Sequence, residues 1–326
     1  MKVAFVGKGG SGKTTVAALL ARQLARSGAP VLAIDADINQ HLAGALGLSE
    51  AEAAAIPAMG AHLGLIKDHL RGSNPRIRSA ASMVKTTPPG SGSRLIRIGE
   101  TNPIYERLGR DAGGLRLLVT GPFDDGDLGV ACYHSKVGAA ELLLSHMVDG
   151  PGEYALVDMT AGADAFASGM FTRFDLMVLV AEPTLRSVGV LRQYLHHARD
   201  HDVAIAVVGN KVLGAEDVDF LREHAGELLL AWLGHSSMVR AMEKGRRPSL
   251  DDLEPDNLAA LTRIRAAVDA RHKNWERFHR QTVEFHLRNA AAWGNRAAGE
   301  DLSTQVDPGF SMAAAAAEMP VPSLSR

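Results

Sequence analysis

The chain has 326 residues, 46% of them hydrophobic and 22% charged, with a formal net charge of −2. This supplies a sizeable core for one large or two small domains, and the near-neutral balance excludes a protein dedicated to wrapping nucleic acid, though not a local basic patch. A single cysteine, Cys132, excludes an intrachain disulfide, and no apolar run approaches the ~20 residues of a membrane span.

The N-terminus, Met1 to Thr15, runs directly into a strand and a glycine loop without the apolar core of a signal peptide. A cytoplasmic location is therefore expected. Candidate strands follow at Lys2–Val6, Val31–Asp35, Leu115–Thr120, Tyr154–Asp158, Leu176–Ala181, Val203–Val208 and Leu228–Leu233. They are continuous apolar runs rather than alternating ones, as strands buried on both faces of a parallel sheet must be. Helical stretches at Lys13–Ser27, Gly138–Val148, Ser187–Asp200 and Glu216–Ala225 separate them. The alternation predicts an α/β fold, a doubly wound, mostly parallel sheet of about seven strands.

Two regions break this rhythm. The insertion at 57–114 contains Pro88-Pro89-Gly90 and shows no clear sheet strand. Its Lys67–Arg110 stretch holds nine basic residues against three acids, a local charge of +6. The second region follows Pro255. Residues 256–293 read as a helical extension, with a local +5 over Arg263–Arg296, and 294–326 read as a disordered tail. The P-loop domain itself is assigned to 1–255.

Gly7-Lys8-Gly9-Gly10-Ser11-Gly12-Lys13-Thr14 satisfies G-x-x-x-x-G-K-[ST] between the first strand and first helix. Its glycines let successive N–H groups turn towards phosphate oxygens, and the helix adds its positive end. Lys13 is placed to reach the β- and γ-phosphates, and the Thr14 hydroxyl to ligate Mg²⁺; Thr15 follows in the same turn. Strand two ends in Asp35-Ala36-Asp37, carboxylates at the sheet edge where ligands bind. An apolar strand closes on Asp158, a Walker B pattern that would hold Mg²⁺ through water. Gly209-Asn210-Lys211-Val212-Leu213 lacks the aspartate that a guanine pocket needs at position 213, which points to ATP rather than GTP.

With Lys8 inside the loop, these motifs resemble the deviant P-loop ATPases, the family of MinD, ParA, nitrogenase iron protein and the nickel-insertion ATPase CooC. The resemblance covers roughly Met1–Leu46 and Leu115–Leu250. Asp158-Met159-Thr160-Ala161-Gly162 and Glu182-Pro183-Thr184 are most similar to the nickel-insertion subgroup. The resemblance implies a slow Mg²⁺-dependent ATPase that works as a nucleotide-switched homodimer on a client protein. In it Lys8 crosses to the other subunit's phosphates and Asp37 orients the attacking water. Asp35 sits near Mg²⁺, or caps the following helix, and Gly162 serves as the switch II glycine. Asn210 meets adenine, and the loop with Leu233 and His235 closes over the base. The alternative is a positioning ATPase similar to ParA or MinD, binding DNA or anionic membrane through the basic patches. Cys132 stands where the subgroup carries C-x-C, with His134 in place of the second cysteine. A Cys132/His134 pair from each of two subunits would supply four ligands for Zn²⁺ or Ni²⁺; the plainer reading is a buried thiol near the dimer interface.

Overall fold

The apolar runs form strands because all but the edge run at Leu228–Leu233 have a sheet neighbour on both sides, with side chains packed on both faces. The computed structural model of the protein describes residues 1–122, 133–162, 166 and 168–319. Its strands are β1 (Lys2–Gly7), β2 (Val31–Ala36), β3 (Ile96–Arg97), β4 (Arg110–Asp111), β5 (Arg116–Val119), β6 (Met147–Val148), β7 (Tyr154–Met159), β8 (Leu176–Ala181), β9 (Ile205–Val212) and β10 (Leu229–Gly234). The α-helices are α1 (Lys13–Arg26), α2 (Leu42–Ala45), α3 (Glu50–Ala54), α4 (Leu63–Arg71), α5 (Pro103–Leu108), α6 (Tyr133–Ser145), α7 (Leu185–Ala198), α8 (Ala215–Ala225), α9 (Ser237–Glu243), α10 (Pro255–Asp269), α11 (Trp275–Asn289), α12 (Asn295–Ala298) and α13 (Met312–Glu318).

Among the described residues the main sheet has eight strands in the order β10-β9-β8-β1-β7-β2-β5-β4. All neighbours are parallel except the edge pair β4 and β5. The eighth strand is that two-residue antiparallel edge, too short to leave a hydrophobic signature. The expected seven are the other members of the sheet. β3 and β6 form a separate parallel pair.

The pleat sorts side chains into two cores. Val3, Phe5, Val31 and Ala33 face α1 and α10, meeting Leu20, Leu24, Leu261 and Ile264. Ala4, Val6, Leu32 and Ile34 face the other way, onto Leu142 and Leu143 of α6. The insertion belongs to this second core, since Met59, Ile66, Leu70, Ile77, Ile98 and Ile104 are buried in it. Of its basic residues, Arg97 is buried against Glu153, while Arg76, Arg78, Arg94, Arg107 and Arg110 are exposed.

The expected disordered tail needs correction over residues 294–319. Leu302, Gln305 and Met312 are buried. The Gln305 amide donates to Ser82 O at 3.0 Å while its Oε1 accepts from the Thr87 hydroxyl at 3.0 Å. Asp307 accepts from Ser91 N at 2.9 Å, and Arg97 donates to Met319 O at 3.2 Å. His286 of α11 contacts Leu302 O at 2.9 Å. The segment is ordered by the insertion, because polar groups of each satisfy buried polar groups of the other. No helix among the described residues is long and apolar enough to cross a membrane.

Candidate functional site

Parallel register brings the chemistry to one edge. β1 lies between β7 and β8, and Asp35 of β2 pairs directly with Asp158 of β7. The carboxyl ends of these strands deliver the glycine loop, Asp35, Asp37, Asp158 and Glu182 to the same rim, the ligand-binding edge of an open α/β sheet.

The loop from Gly7 to Gly12 has the shape of a phosphate cradle. Gly7 has φ +144° and Gly12 φ +93°, values that side chains rarely adopt. A Cβ on Gly7 would lie 2.4 Å from Val180 O, and one on Gly12 2.0 Å from Asn210 Nδ2. Ser11 N closes the turn on Lys8 O at 3.1 Å. No acidic residue stands in the first turn of α1 and no side chain caps it, so its free N–H groups face the loop. The buried Ser11 Oγ has no hydrogen-bond partner among the described residues. Lys13 is buried at the start of α1, with Thr14 and Thr15 half-buried beside it.

The Thr14 hydroxyl donates to Asp158 Oδ2 at 2.6 Å. The other oxygen, Asp158 Oδ1, is buried without a partner. Burial pushes the Asp158 carboxyl up to about 7, against the pull of Thr14 and Lys13. A hydroxyl beside an underpaired buried carboxylate is a hard-oxygen donor set that suits Mg²⁺. Asp35 is placed differently. Its Oδ1 accepts from Asp37 N at 3.1 Å and its Oδ2 from Leu42 N at 2.8 Å. Both oxygens therefore anchor the loop that carries Asp37. Burial, then the Asp158 charge, pushes the Asp35 carboxyl well above the usual carboxylate range. Asp37 is buried at the rim, its Oδ1 held by the Asn39 backbone at 2.9 Å and the Asn39 amide at 3.0 Å.

Asn210 donates from Nδ2 to Ser11 O at 2.8 Å, so its amide braces the loop from below. Lys211, at φ +60°, turns its amine back onto Gly10 O at 2.7 Å. Leu233 faces the core and is buried there, while His235 is exposed. Gly162 has φ +80° and its carbonyl accepts from the Tyr194 hydroxyl at 2.8 Å. Gly9 and Gly10 form the exposed crest of the loop.

Three participants were not assigned a role from the sequence. Glu182 bridges Lys8 Nζ at 3.1 Å and Lys211 Nζ at 2.7 Å. Tyr194 holds Gly162, and Asn257 of α10 accepts from Gly234 N at 2.9 Å, fixing the loop before His235. Only Glu182 had a signal, the E-P-T turn. Cys132 lies outside the described residues, as does the side chain of His134. Among the described residues no group of three or more His, Cys, Asp or Glu is placed to hold a metal ion.

A glycine cradle on a helix start, with a threonine–aspartate pair behind it, defines a P-loop nucleotide-binding protein. The chain belongs to the CobQ/CobB/MinD/ParA nucleotide-binding family, whose domain it matches over residues 3–280. It is 33% identical over 258 residues to the carbon monoxide dehydrogenase accessory protein CooC of Rhodospirillum rubrum, covering 78% of this chain and 91% of that one. It is 30% identical over 244 residues to an uncharacterised ATP-binding protein of Methanocaldococcus jannaschii, covering 73% and 87%. A chain of the MinC:MinD cell division protein complex of Aquifex aeolicus has a similar fold, at TM-score 0.53 and 21% identity, over 84% of this chain and 97% of that one.

Proposed function

We propose that the protein is a cytoplasmic, Mg²⁺-dependent ATP switch of low turnover that closes as a homodimer on ATP and handles a client protein, as a CooC-like accessory factor. The observation that carries this reading is the rim itself, where Lys13, Thr14, Asp37 and the underpaired Asp158 converge on one phosphate cradle. The similarity to CooC over most of both chains supports the client-handling role.

In this account the loop N–H groups and Lys13 bind the β- and γ-phosphates. Thr14 and Asp158 hold Mg²⁺, which when bound neutralises phosphate charge. Asp37, fixed by Asn39 and by the Asp35-anchored loop, orients the water that attacks the γ-phosphorus; positioning and electrostatic stabilisation do most of this chemistry. Lys8 serves as the deviant Walker A lysine, reaching the partner subunit's phosphates. Leu213 in place of an acid favours adenine, and Asn210 joins base and loop.

The alternative, a positioning ATPase on DNA or membrane, rests on basic patches of which the fold pairs a part. Arg97 pairs with Glu153, Arg76 with Asp307 and Arg78 with Glu300. In the extension Lys273 pairs with Asp149 and Asp175, Arg265 with Asp269, and Arg288 with Glu284. Co-purification from native extract tests the proposal, with Asp37→Ala as the ATP-loaded trap and Lys13→Ala as the empty control. A specific protein enriched only by the trap is expected. Enrichment of DNA or lipid instead would move the assignment to the positioning class.

A further inference from the structure

We propose that Glu182 is a positioning residue that parks Lys8 away from the phosphate cradle and releases it when the ATP-loaded dimer forms. The inference rests on the reading of Lys8 as the lysine that reaches the partner subunit's phosphates.

The geometry is a three-member clamp at the mouth of the loop. Glu182 Oε2 lies 3.1 Å from Lys8 Nζ, and Glu182 Oε1 lies 2.7 Å from Lys211 Nζ. Each amine also donates to a loop carbonyl, Lys8 to Gly9 O at 3.0 Å and Lys211 to Gly10 O at 2.7 Å. The carboxylate thus stitches two cations to the crest of the cradle. Without it, two like charges would stand unscreened at the entrance.

The clamp is asymmetric. The Glu182 side chain is 16% exposed, and its backbone is fixed where β8 meets α7. Glu182 N donates to Ser187 Oγ at 3.2 Å, Thr184 N donates to Glu182 O at 2.7 Å, and Thr184 caps α7. Lys211 is held by its left-handed backbone at φ +60°. Lys8 is the member that can leave: its contacts to Gly9 O and Glu182 are 3.0 and 3.1 Å, whereas Lys211 meets Gly10 O and Glu182 at 2.7 Å each. When it leaves, Lys211 still neutralises Glu182, so no carboxylate is stranded. A triphosphate brought close by a second subunit outcompetes one carboxylate for that amine, because it concentrates more charge. Burial raises the Glu182 carboxyl but the two lysines outweigh it, and it stays charged and able to retain Lys8.

The test titrates ATP with Mg²⁺ against Asp37→Ala protein and reads dimer mass by sedimentation, alone and with Glu182→Gln, Lys8→Ala or both added. Glu182→Gln should reach half-maximal dimer at about fivefold lower ATP, the scale of one partly exposed ion pair. Lys8→Ala should not dimerise, with or without Glu182→Gln, and Glu182→Asp should return towards the parent. A second readout is amine acetylation followed by mass spectrometry of the nucleotide-free protein, in which Lys8 should react faster once Glu182 is neutral. If the Asp37→Ala parent binds ATP and stays monomeric, the underlying reading of Lys8 is wrong. If the parent dimerises but Glu182→Gln shifts neither the ATP midpoint nor Lys8 reactivity, or shifts the midpoint equally without Lys8, the parking role is overturned.

Discussion

The phosphate rim and the lobe made by the insertion and C-terminal extension are both rich in charge, and they treat it in opposite ways. Beneath the lobe, one buried cluster is closely matched. Asp149 is fully buried with the N-terminal amine at 2.9 Å, Lys2 at 3.3 Å and Lys273 at 2.7 Å. Burial pushes its carboxyl up, but the three cations together pull it well below the ordinary range. At the rim Asp158 is equally buried and keeps one oxygen unpartnered. Glu141 and Arg173 are also buried with polar atoms lacking hydrogen-bond partners among the described residues, but only Asp158 stands beside the phosphate cradle, where the proposed Mg²⁺ would complete it.

Substitutions should therefore have opposite signs in the two regions. The largest effect is expected from Asp149→Ala, which removes the carboxylate partner of the buried N-terminal amine and Lys2 and leaves Lys273 with Asp175 alone. It should cost roughly 3–5 kcal/mol in denaturant unfolding. Asp158→Asn should do the reverse, raising the stability of nucleotide-free protein in chelator by roughly 2–4 kcal/mol at pH 7.5 while removing Mg²⁺-dependent nucleotide binding. A loss of stability here would break the comparison.

The pH dependence sharpens it. The Asp158 carboxyl has a folded value of about 7 against an ordinary value of 3.8, so its charge destabilises the native state progressively as pH rises through that window. The stability gap between Asp158→Asn and the parent should close as pH falls from 7 towards 4. A gap independent of pH would show that the carboxylate is not the source of strain.

Smaller effects follow. Gln305→Ala leaves Ser82 O without its donor and the Thr87 hydroxyl without its acceptor, and should cost about 1–3 kcal/mol, with faster amide exchange in both the insertion and the tail. Arg78→Ala removes an exposed pair with Glu300 and should change stability by less than about 1 kcal/mol. Unchanged exchange in the insertion after Gln305→Ala would contradict the mutual ordering of these segments.

What was legible in the sequence was whatever depends on local pattern. Continuous apolar runs define the inner strands, and the loop from Gly7 to Thr14 carries its own phosphate geometry. What was hidden depends on distant partners. The Asp35 anchoring role needs Leu42 N, seven residues away around a turn. Pro88-Pro89-Gly90 carries no strand signal, and its place in the fold shows only where Ser91 N meets Asp307. The alanine-rich segment before Glu318 looks disordered until Met312 packs against Val148 and Phe278. Glu182 was visible only as a turn, since the two lysines that it joins come from separate strands' ends.

The account turns on one rim that binds ATP and thereby recruits a second copy. The most direct measurement is the sedimentation mass of Asp37→Ala protein with Mg²⁺ and saturating ATP or ADP. The account predicts twice the 34.6 kDa chain mass with ATP, the single-chain mass with ADP, and the single-chain mass in both once Lys8→Ala is added. A protein that binds ATP yet keeps one mass in every nucleotide state would contradict it.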